Sequence, residues 1–395
     1  MDKPWLTIVG IGEDGISGLS AASRDALKQA SQVFGSPRHL QLAEAEDRGC
    51  VWPLPFSIQA VLEQRGRPVV VLASGNPFWN GVGSLLSAAL PDDEWQSCSS
   101  PSSYSLAAAR QGWAMESITC LGLHAAPFER LLPVLSRGAR IVCLLRDGSA
   151  PAQLARWLAE QGFGRSRLSV MEALGGPQER IRTGYADEFK VSDIGALVLV
   201  AIEVDGGRGL PRSAGLANEL FSHDGQITRS AVRALTLSAL APRCGEMLWD
   251  IGTGSGSVSV EWCLTADRTQ AIAMDVRSDR LQNAEKNCAA FGLQHRIRII
   301  AATAPDGLTE LPLPDAVFVG GGASEHMLDA LWKLLPEGTR LVANAVTLET
   351  EILLAQWHER VGGRLIRIDL AEAGPLGAGR GWQCARPIVQ WSVCR

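Results

Sequence analysis

The feature that most narrows what this chain can fold into is nine residues long. Leu248-Trp249-Asp250-Ile251-Gly252-Thr253-Gly254-Ser255-Gly256 joins an apolar, strand-like run to a helical pattern. Alternating glycines let a chain turn tightly and let a ligand approach its main chain, and the helix start behind them offers free N–H groups. A dinucleotide-binding turn spaces its glycines G-x-G-x-x-G, whereas the position three beyond Gly254 is Ser257. Here the spacing is G-x-G-x-G, with an acid two residues before it. The next strand-like run ends at Asp275, where a carboxylate can accept both hydroxyls of a ribose. That arrangement suits an adenosyl ligand without a pyrophosphate. A structural turn in some other doubly wound fold can carry the same glycines, and it is the order strand, loop, helix, strand, acid that favours the ligand.

The surrounding pattern predicts a complete Rossmann-like domain from residue 226 to 395. Helices are expected at 228–240, 257–265, 278–291, 325–335 and 348–361. Strands are expected at 246–251, 270–275, 296–301, 315–319, 339–344, 364–370 and 388–393. Upstream, strands at 6–11, 69–73, 117–123, 140–146, 168–173 and 196–204 alternate with helical patterns at 21–30, 83–90, 105–111, 129–135 and 152–161. This alternation predicts a second, mainly parallel α/β domain over residues 1–205. Between the two, GGRGLPRSAGLANELFSHDG lacks any period and reads as a linker over 206–225. A chain of 395 residues accommodates two such domains.

Charge and composition exclude several classes. With 37 Lys+Arg against 42 Asp+Glu the net charge is −5, divided as −4 up to residue 205 and −1 beyond it, which disfavours a nucleic-acid partner. No apolar run approaches the roughly 20 residues of a bilayer-spanning helix. Residues 1–5 run directly into a strand-like segment without a signal-peptide pattern, so a cytoplasmic, non-membrane protein is expected. Nine cysteines without a C-x-x-C pair or a histidine at zinc-ligand spacing read as free core thiols, and no metal is expected.

D-x-G-x-G-x-G after a strand, with an acid ending the next strand, resembles the class I S-adenosylmethionine-dependent methyltransferases. The flanks narrow the likeness. Asp224-Gly225-Gln226-Ile227-Thr228-Arg229-Ser230, Ala304-Pro305-Asp306 and Val319-Gly320-Gly321-Gly322 resemble the CbiT-type precorrin methyltransferases of cobalamin biosynthesis. The resemblance implies an S-adenosylmethionine site lined by Thr228, Gly252, Thr253, Gly254, Ser255 and Gly256. It also implies Asp275 on the ribose and a main-chain group of Ala304 beside the adenine.

The first domain carries Trp5-Leu6-Thr7-Ile8-Val9-Gly10-Ile11-Gly12 and Leu72-Ala73-Ser74-Gly75-Asn76-Pro77-Phe78-Trp79-Asn80-Gly81. Each alone is compatible with a simple turn. Together they resemble the tetrapyrrole methylase superfamily, whose two glycine loops face each other beneath the cofactor. Pro101-Ser102-Ser103-Tyr104 and Leu174-Gly175-Gly176-Pro177 fit its CbiE-type branch. By that resemblance Gly10, Gly12, Gly75 and Asn76 bind cofactor. Asn76 stands where the family has an aspartate, keeping the shape but losing the charge.

A CbiE-like bilobal (class III) tetrapyrrole methylase fold followed by a CbiT-like class I fold resembles the decarboxylating precorrin methyltransferases of the CobL type. The resemblance implies a bifunctional enzyme that methylates carbons 5 and 15 of precorrin-6B. It also removes carbon dioxide from the carbon-12 acetate, giving precorrin-8X, and a homo-oligomer is expected. The tetrapyrrole carries many carboxylates, so arginines are expected to hold it; Arg229, Arg277 and Arg380 are the candidates, with 374–381 as a lid. His326 lies near the same face. No side chain is assigned as catalytic. Two other readings are a methyltransferase acting on RNA or another small molecule through the second domain alone, and a non-catalytic first domain.

Overall fold

The computed structural model describes residues 4–395, so the expectation about the leader at residues 1–3 lies outside the described residues. The chain divides into two compact units, one containing Val134–Gly209 and most of the chain before it, the other Glu129–Pro133 and Leu210–Arg395.

The first unit has two sheets. Strands β1 (Leu6–Ile11), β2 (Gln32–Gly35), β3 (Gly49–Val51), β4 (Val69–Ser74) and β5 (Trp95–Cys98) form a wholly parallel sheet in the order β3-β2-β4-β1-β5. β1 is buried along its whole length and β4 from Val69 to Ala73, as expected of a parallel sheet covered on both faces. The second sheet is mixed. It contains β6 (Ile118–Gly122), β7 (Arg140–Leu144), β8 (Arg167–Glu172), β9 (Arg180–Tyr185) and β10 (Val198–Glu203) in the order β6-β7-β10-β8-β9, and only β6 and β7 run parallel. The helix expected at 129–135 is a 3₁₀ segment, Phe128–Val134, because Pro133 cannot sit inside an α-helix.

The second unit is built on one seven-stranded sheet. β11 (Met247–Ile251), β12 (Gln270–Asp275), β13 (Ile297–Ala301), β14 (Ala316–Val319) and β15 (Arg340–Ala345) are parallel. β16 (Arg364–Ile368) and β19 (Ile388–Cys394) complete it in the order β13-β12-β11-β14-β15-β19-β16, with β19 antiparallel to both neighbours. Separate apolar clusters fill its two faces, one around Trp262 and Phe318, the other around Trp249, Trp357 and Trp391. Segment 374–381, expected as a loose lid, belongs to a two-stranded hairpin of β17 (Ala371–Leu376) and β18 (Gly379–Cys384) that turns at Gly377 with φ +59°.

The 206–225 segment is irregular but not free chain. Leu216 and Phe221 are buried in the second unit's core, and Phe221 packs on Phe291 at 5.1 Å. Gly215 and Leu216 donate their N–H groups to Glu261 at 2.6 and 2.9 Å. Glu261 is itself buried against Arg233. Apolar anchors and one buried ion pair hold this stretch without any secondary-structure period. All nine cysteines are unpaired; Cys143, Cys263 and Cys288 are buried as expected, whereas Cys244, Cys384 and Cys394 are exposed. Among the described residues no helix is long and apolar enough to cross a membrane.

Candidate functional site

In the second unit the strand order reverses between β11 and β14, and ligands bind outside the carboxyl ends of the strands at such a switch point. The glycine loop leaves β11 there. Gly252, Gly254 and Gly256 have φ of +69°, +57° and +73°, a region that other residues enter only at a cost. Their surroundings differ. A Cβ on Gly252 would stand 3.1 Å from the Gly321 carbonyl and one on Gly256 would stand 3.0 Å from Ala284. A Cβ on Gly254 would meet nothing within 4 Å. Gly256 thus serves helix packing, while Gly254 faces open space.

That space is a cavity of about 560 Å³ lined by Gly225–Arg229, Val232, the loop from Gly252 to Ser255, Arg280, Gly320, Asn344 and the segments around Ile368 and Arg386. It therefore brings together Thr228, Arg229, Gly252, Thr253, Gly254 and Ser255. The helix behind Thr228 begins only at Ser230, and Arg229 is extended, so both residues stand in the cavity wall. Asp275 is 5% exposed and adjoins the loop, its Oδ2 accepting the Gly254 N–H at 3.0 Å and its Oδ1 the Arg277 N–H at 3.0 Å. A carboxylate has about four acceptor positions, so two remain for a diol. Ala304 does not line this cavity and packs against the Trp249 cluster.

Beneath the loop lies Asp250, fully buried. Its Oδ2 accepts hydrogen bonds from Thr253 Oγ1 at 2.7 Å and Ser259 Oγ at 2.6 Å, while Oδ1 has no partner. Burial pushes its pKa up to about 6, against the two hydroxyl hydrogen bonds that lower it.

The substrate candidates separate. Arg277 is occupied by Asp279, Nη2 to Oδ2 at 2.5 Å, and by Asp224 at 3.5 Å, and it does not line the cavity. Arg380 lies on the β18 arm of the hairpin, also outside the lining. His326 is exposed at the start of helix Glu325–Leu334. In their place the cavity presents Arg280 and Arg386. Arg386 stands alone before Pro387 and offers no pattern by which sequence could have found it. Arg280 lies one helical turn past Arg277, the only hint of it.

In the first unit the loops after β1 and β4 meet. A Cβ on Gly10 would fall 1.8 Å from the Gly75 carbonyl oxygen, so only glycine permits the approach. The Gly75 N–H donates to Ile11 O at 3.0 Å, and Ser100 donates its N–H to Gly75 O at 3.1 Å and its Oγ–H to Gly10 O at 2.8 Å. Gly12 and Gly75 line a cavity of about 280 Å³. Asn76 lines an adjoining one of about 300 Å³ with His39, Tyr104 and His124; both cavities share Ser74, Ser103, His124 and Leu144. Asn76 Oδ1 accepts the Phe78 N–H at 3.0 Å, shaping the turn. His39, with Nε2 2.9 Å from Ser74 Oγ, has its pKa lowered to about 4 by burial and then by Arg38, so it is a neutral imidazole at physiological pH. Burial likewise holds the Tyr104 hydroxyl un-ionised.

Comparison with known proteins places these features in a family. Residues 5–190 match the tetrapyrrole (corrin/porphyrin) methylases, and residues 219–395 match the precorrin methyltransferase domain. A protein of Sinorhizobium sp named precorrin-6Y C(5,15)-methyltransferase [decarboxylating] is 47% identical over 99% of this chain and 96% of its own length. A protein of the same name from Mycobacterium tuberculosis is 38% identical over 99% of this chain and all of its own. A crystal structure of the C-terminal domain of precorrin-6Y C5,15-methyltransferase from Rhodobacter capsulatus is 56% identical, covering 47% of this chain and 100% of that one, with a TM-score of 0.46. With relatives this similar along its whole length, the chain belongs to the family of decarboxylating precorrin-6Y C(5,15)-methyltransferases.

Proposed function

We propose that this chain is a bifunctional S-adenosylmethionine-dependent methyltransferase of cobalamin biosynthesis. It methylates carbons 5 and 15 of precorrin-6B and removes carbon dioxide from the carbon-12 acetate, giving precorrin-8X. The observation that carries this reading is whole-length similarity to enzymes of that name. We assign one donor site to each module, with residues 1–205 and 226–395 as the modules and 206–225 as the connection. We also read it as a cytoplasmic homo-oligomer without a nucleic-acid partner.

The second unit's residues fit the donor. Thr228 and the main chain of Gly252, Thr253, Gly254 and Ser255 would hold its amino-acid end, where Gly254 leaves room, with Gly256 packing the loop onto the helix behind it. Asp275 would hold the ribose with its remaining acceptor positions. In the first unit Gly12, Gly75 and Asn76 would border the donor, with Gly10 keeping the two loops in contact. When bound, the donor supplies an electrophilic methyl group.

Transfer to carbon needs that methyl in line with an electron-rich carbon, so the protein contributes orientation and exclusion of water. Val232, Val346, Ile368, Leu370 and Ile388 give the cavity an apolar wall that keeps the reacting groups dry. The macrocycle itself disperses the electrons left when the carboxyl group departs. Mass spectrometry of precorrin-6B incubated with labelled S-adenosylmethionine and the full chain tests the reading. Two labelled methyls gained and one carboxyl lost are expected; transfer to RNA alone, or no transfer, overturns it.

A further inference from the structure

Positive charge gathers in the second unit's cavity out of proportion to the chain around it. Arg229, Arg280 and Arg386 line the cavity and no aspartate or glutamate does, although the chain from residue 206 onward has a net charge of −1. Arg280 is engaged, donating from Nε to Asp224 Oδ2 at 3.3 Å and from Nη2 to Gln226 Oε1. The side chains of Arg229 and Arg386 are exposed and bond to no other described residue. They share the cavity with the apolar wall of Val232, Val346, Ile368, Leu370 and Ile388, and low-polarity surroundings strengthen whatever charge interaction forms there.

The donor does not account for this surplus. Its sulfonium and ammonium groups outnumber its one carboxylate, leaving one net positive charge. The Asp275 carboxylate beside the glycine loop offsets one of the two unpaired guanidinium groups, and the positive charge that remains opposes the donor's binding as a whole. The spent donor has lost the sulfonium charge and is neutral overall. What balances the cavity is a second ligand that brings several anions.

We propose that Arg229 and Arg386 hold carboxylates of the tetrapyrrole, and that this polyanion and the cationic donor consequently bind the second unit cooperatively. The inference rests on the proposed function and adds to it a binding order. Without the tetrapyrrole the cavity prefers the spent donor; with the tetrapyrrole in place the preference shifts toward the charged one. Positive coupling of this kind is reciprocal, so the donor tightens tetrapyrrole binding by the same factor.

The magnitude follows from Coulomb's law. One unit charge acting over roughly 8 Å at an effective dielectric constant of about 40 changes an affinity on the order of fivefold. Since the Debye length is about 8 Å at physiological ionic strength, the effect shrinks as salt rises.

The test is equilibrium titration of the full chain with S-adenosylmethionine and S-adenosylhomocysteine. Each is titrated alone, with a stable corrin bearing free carboxylic acids, and with the same corrin bearing amides. The acid corrin should raise S-adenosylmethionine affinity on the order of fivefold, raise S-adenosylhomocysteine affinity less, and lose most of its effect at about 0.5 M salt. The R229A/R386A double variant should lose the gain, while R229K/R386K, which keeps both charges, should retain much of it. Any site in the first unit contributes alike to every variant and drops out of the comparison. Equal gains from acid and amide corrins, or a gain that survives in the double alanine variant, overturn the proposal. Absence of any S-adenosylmethionine binding to the unmodified chain overturns the proposed function and this inference together, an outcome distinct from loss of coupling alone.

Discussion

Arg233 offers a sharp test of how the second unit holds its cavity wall. It is 0% exposed, its Nε lies 2.5 Å from Glu261 Oε1, and its two terminal nitrogens donate to the carbonyls of Thr228 and Leu216. Its guanidinium lies 4.6 Å from the Phe221 ring centre. Glu261, 1% exposed, also accepts the N–H groups of Gly215 and Leu216. One ion pair thus ties the 215–216 segment, the Thr228 wall and helix Ser257–Thr265 together. Arg233→Ala would leave a buried carboxylate without its counter-charge and two carbonyls without donors. Removing one partner of a buried pair costs about 3–5 kcal/mol. For a unit of this size each kcal/mol moves the midpoint by about 2–4 °C, so the second unit's thermal transition should fall by roughly 6–20 °C. Calorimetry measures the shift, and amide exchange over 215–228 should accelerate with it. Glu261→Gln should be less costly because Gln still accepts one N–H. The double variant R233M/E261Q should cost less than the sum of R233M and E261Q by about 2 kcal/mol. A drop below 2 °C for Arg233→Ala, or strict additivity, would refute the argument that the pair is the clamp.

Four further outcomes follow from single residues. Asp275→Ala should weaken donor binding at the second unit by tenfold or more in titration calorimetry, and wild-type affinity would remove the ribose assignment. Asp250 favours its neutral form in the fold, with pKa raised from 3.8 to about 6; its contribution is therefore present below about pH 4 and is lost as pH rises to about 6. The loss amounts to roughly 3 kcal/mol, and since Asp250→Asn mimics the neutral form, the stability difference between variant and wild type should grow across that window in urea titrations and stay flat above it. Gly10→Ala should destabilise the first unit by about 1–3 kcal/mol, because its methyl overlaps the Gly75 carbonyl, while Gly254→Ala, whose methyl points into open space but whose φ is +57°, should cost the second unit about 1–2 kcal/mol and also weaken donor binding.

Much of the second unit was legible because its signals are local. The glycine loop, helix Ser257–Thr265, β12 and helix Leu348–Val361 fall where the periodicity predicts them. The β17–β18 hairpin was not legible, since almost every residue in it is exposed, and a strand that buries neither face writes no alternation into its sequence. β9 escaped for a related reason. Its burial pattern is mostly exposed, and what ties it down is Arg180 and Arg182, which reach Glu172 on the neighbouring strand β8 at 2.7 and 2.8 Å. In the candidate site the same division holds. Backbone chemistry is visible because only glycine supplies it, so Gly252 to Gly256 stood out. Arg280, Arg386 and His39 are single residues brought in from distant segments, and nothing local marks them. Proximity in sequence even misdirected, for Arg277 adjoins Asp275 but pairs with Asp279 and Asp224.

The glycines themselves divide into two kinds that sequence cannot separate. Gly10 and Gly256 are glycine because protein occupies the place of a side chain, in one case a facing loop and in the other a neighbouring helix. Gly254 is glycine although nothing of the protein stands there, and its φ of +57° by itself would tolerate asparagine. A position that has room for a side chain, lines a cavity and donates its N–H to the buried Asp275 is shaped for something outside the chain. Asp275 then links that loop to β12, so the main chain that would meet the donor's amino-acid end and the carboxylate that would meet its ribose are held by one hydrogen bond. The Arg233–Glu261 pair does the same for the Thr228 segment of the wall through its carbonyl. The glycine loop and the Thr228 segment are thereby fixed by buried charge, while Arg229 and Arg386 are left unpaired. A braced glycine loop with free cations beside it is the arrangement expected where one ligand is always the same molecule and the other is a large polyanion.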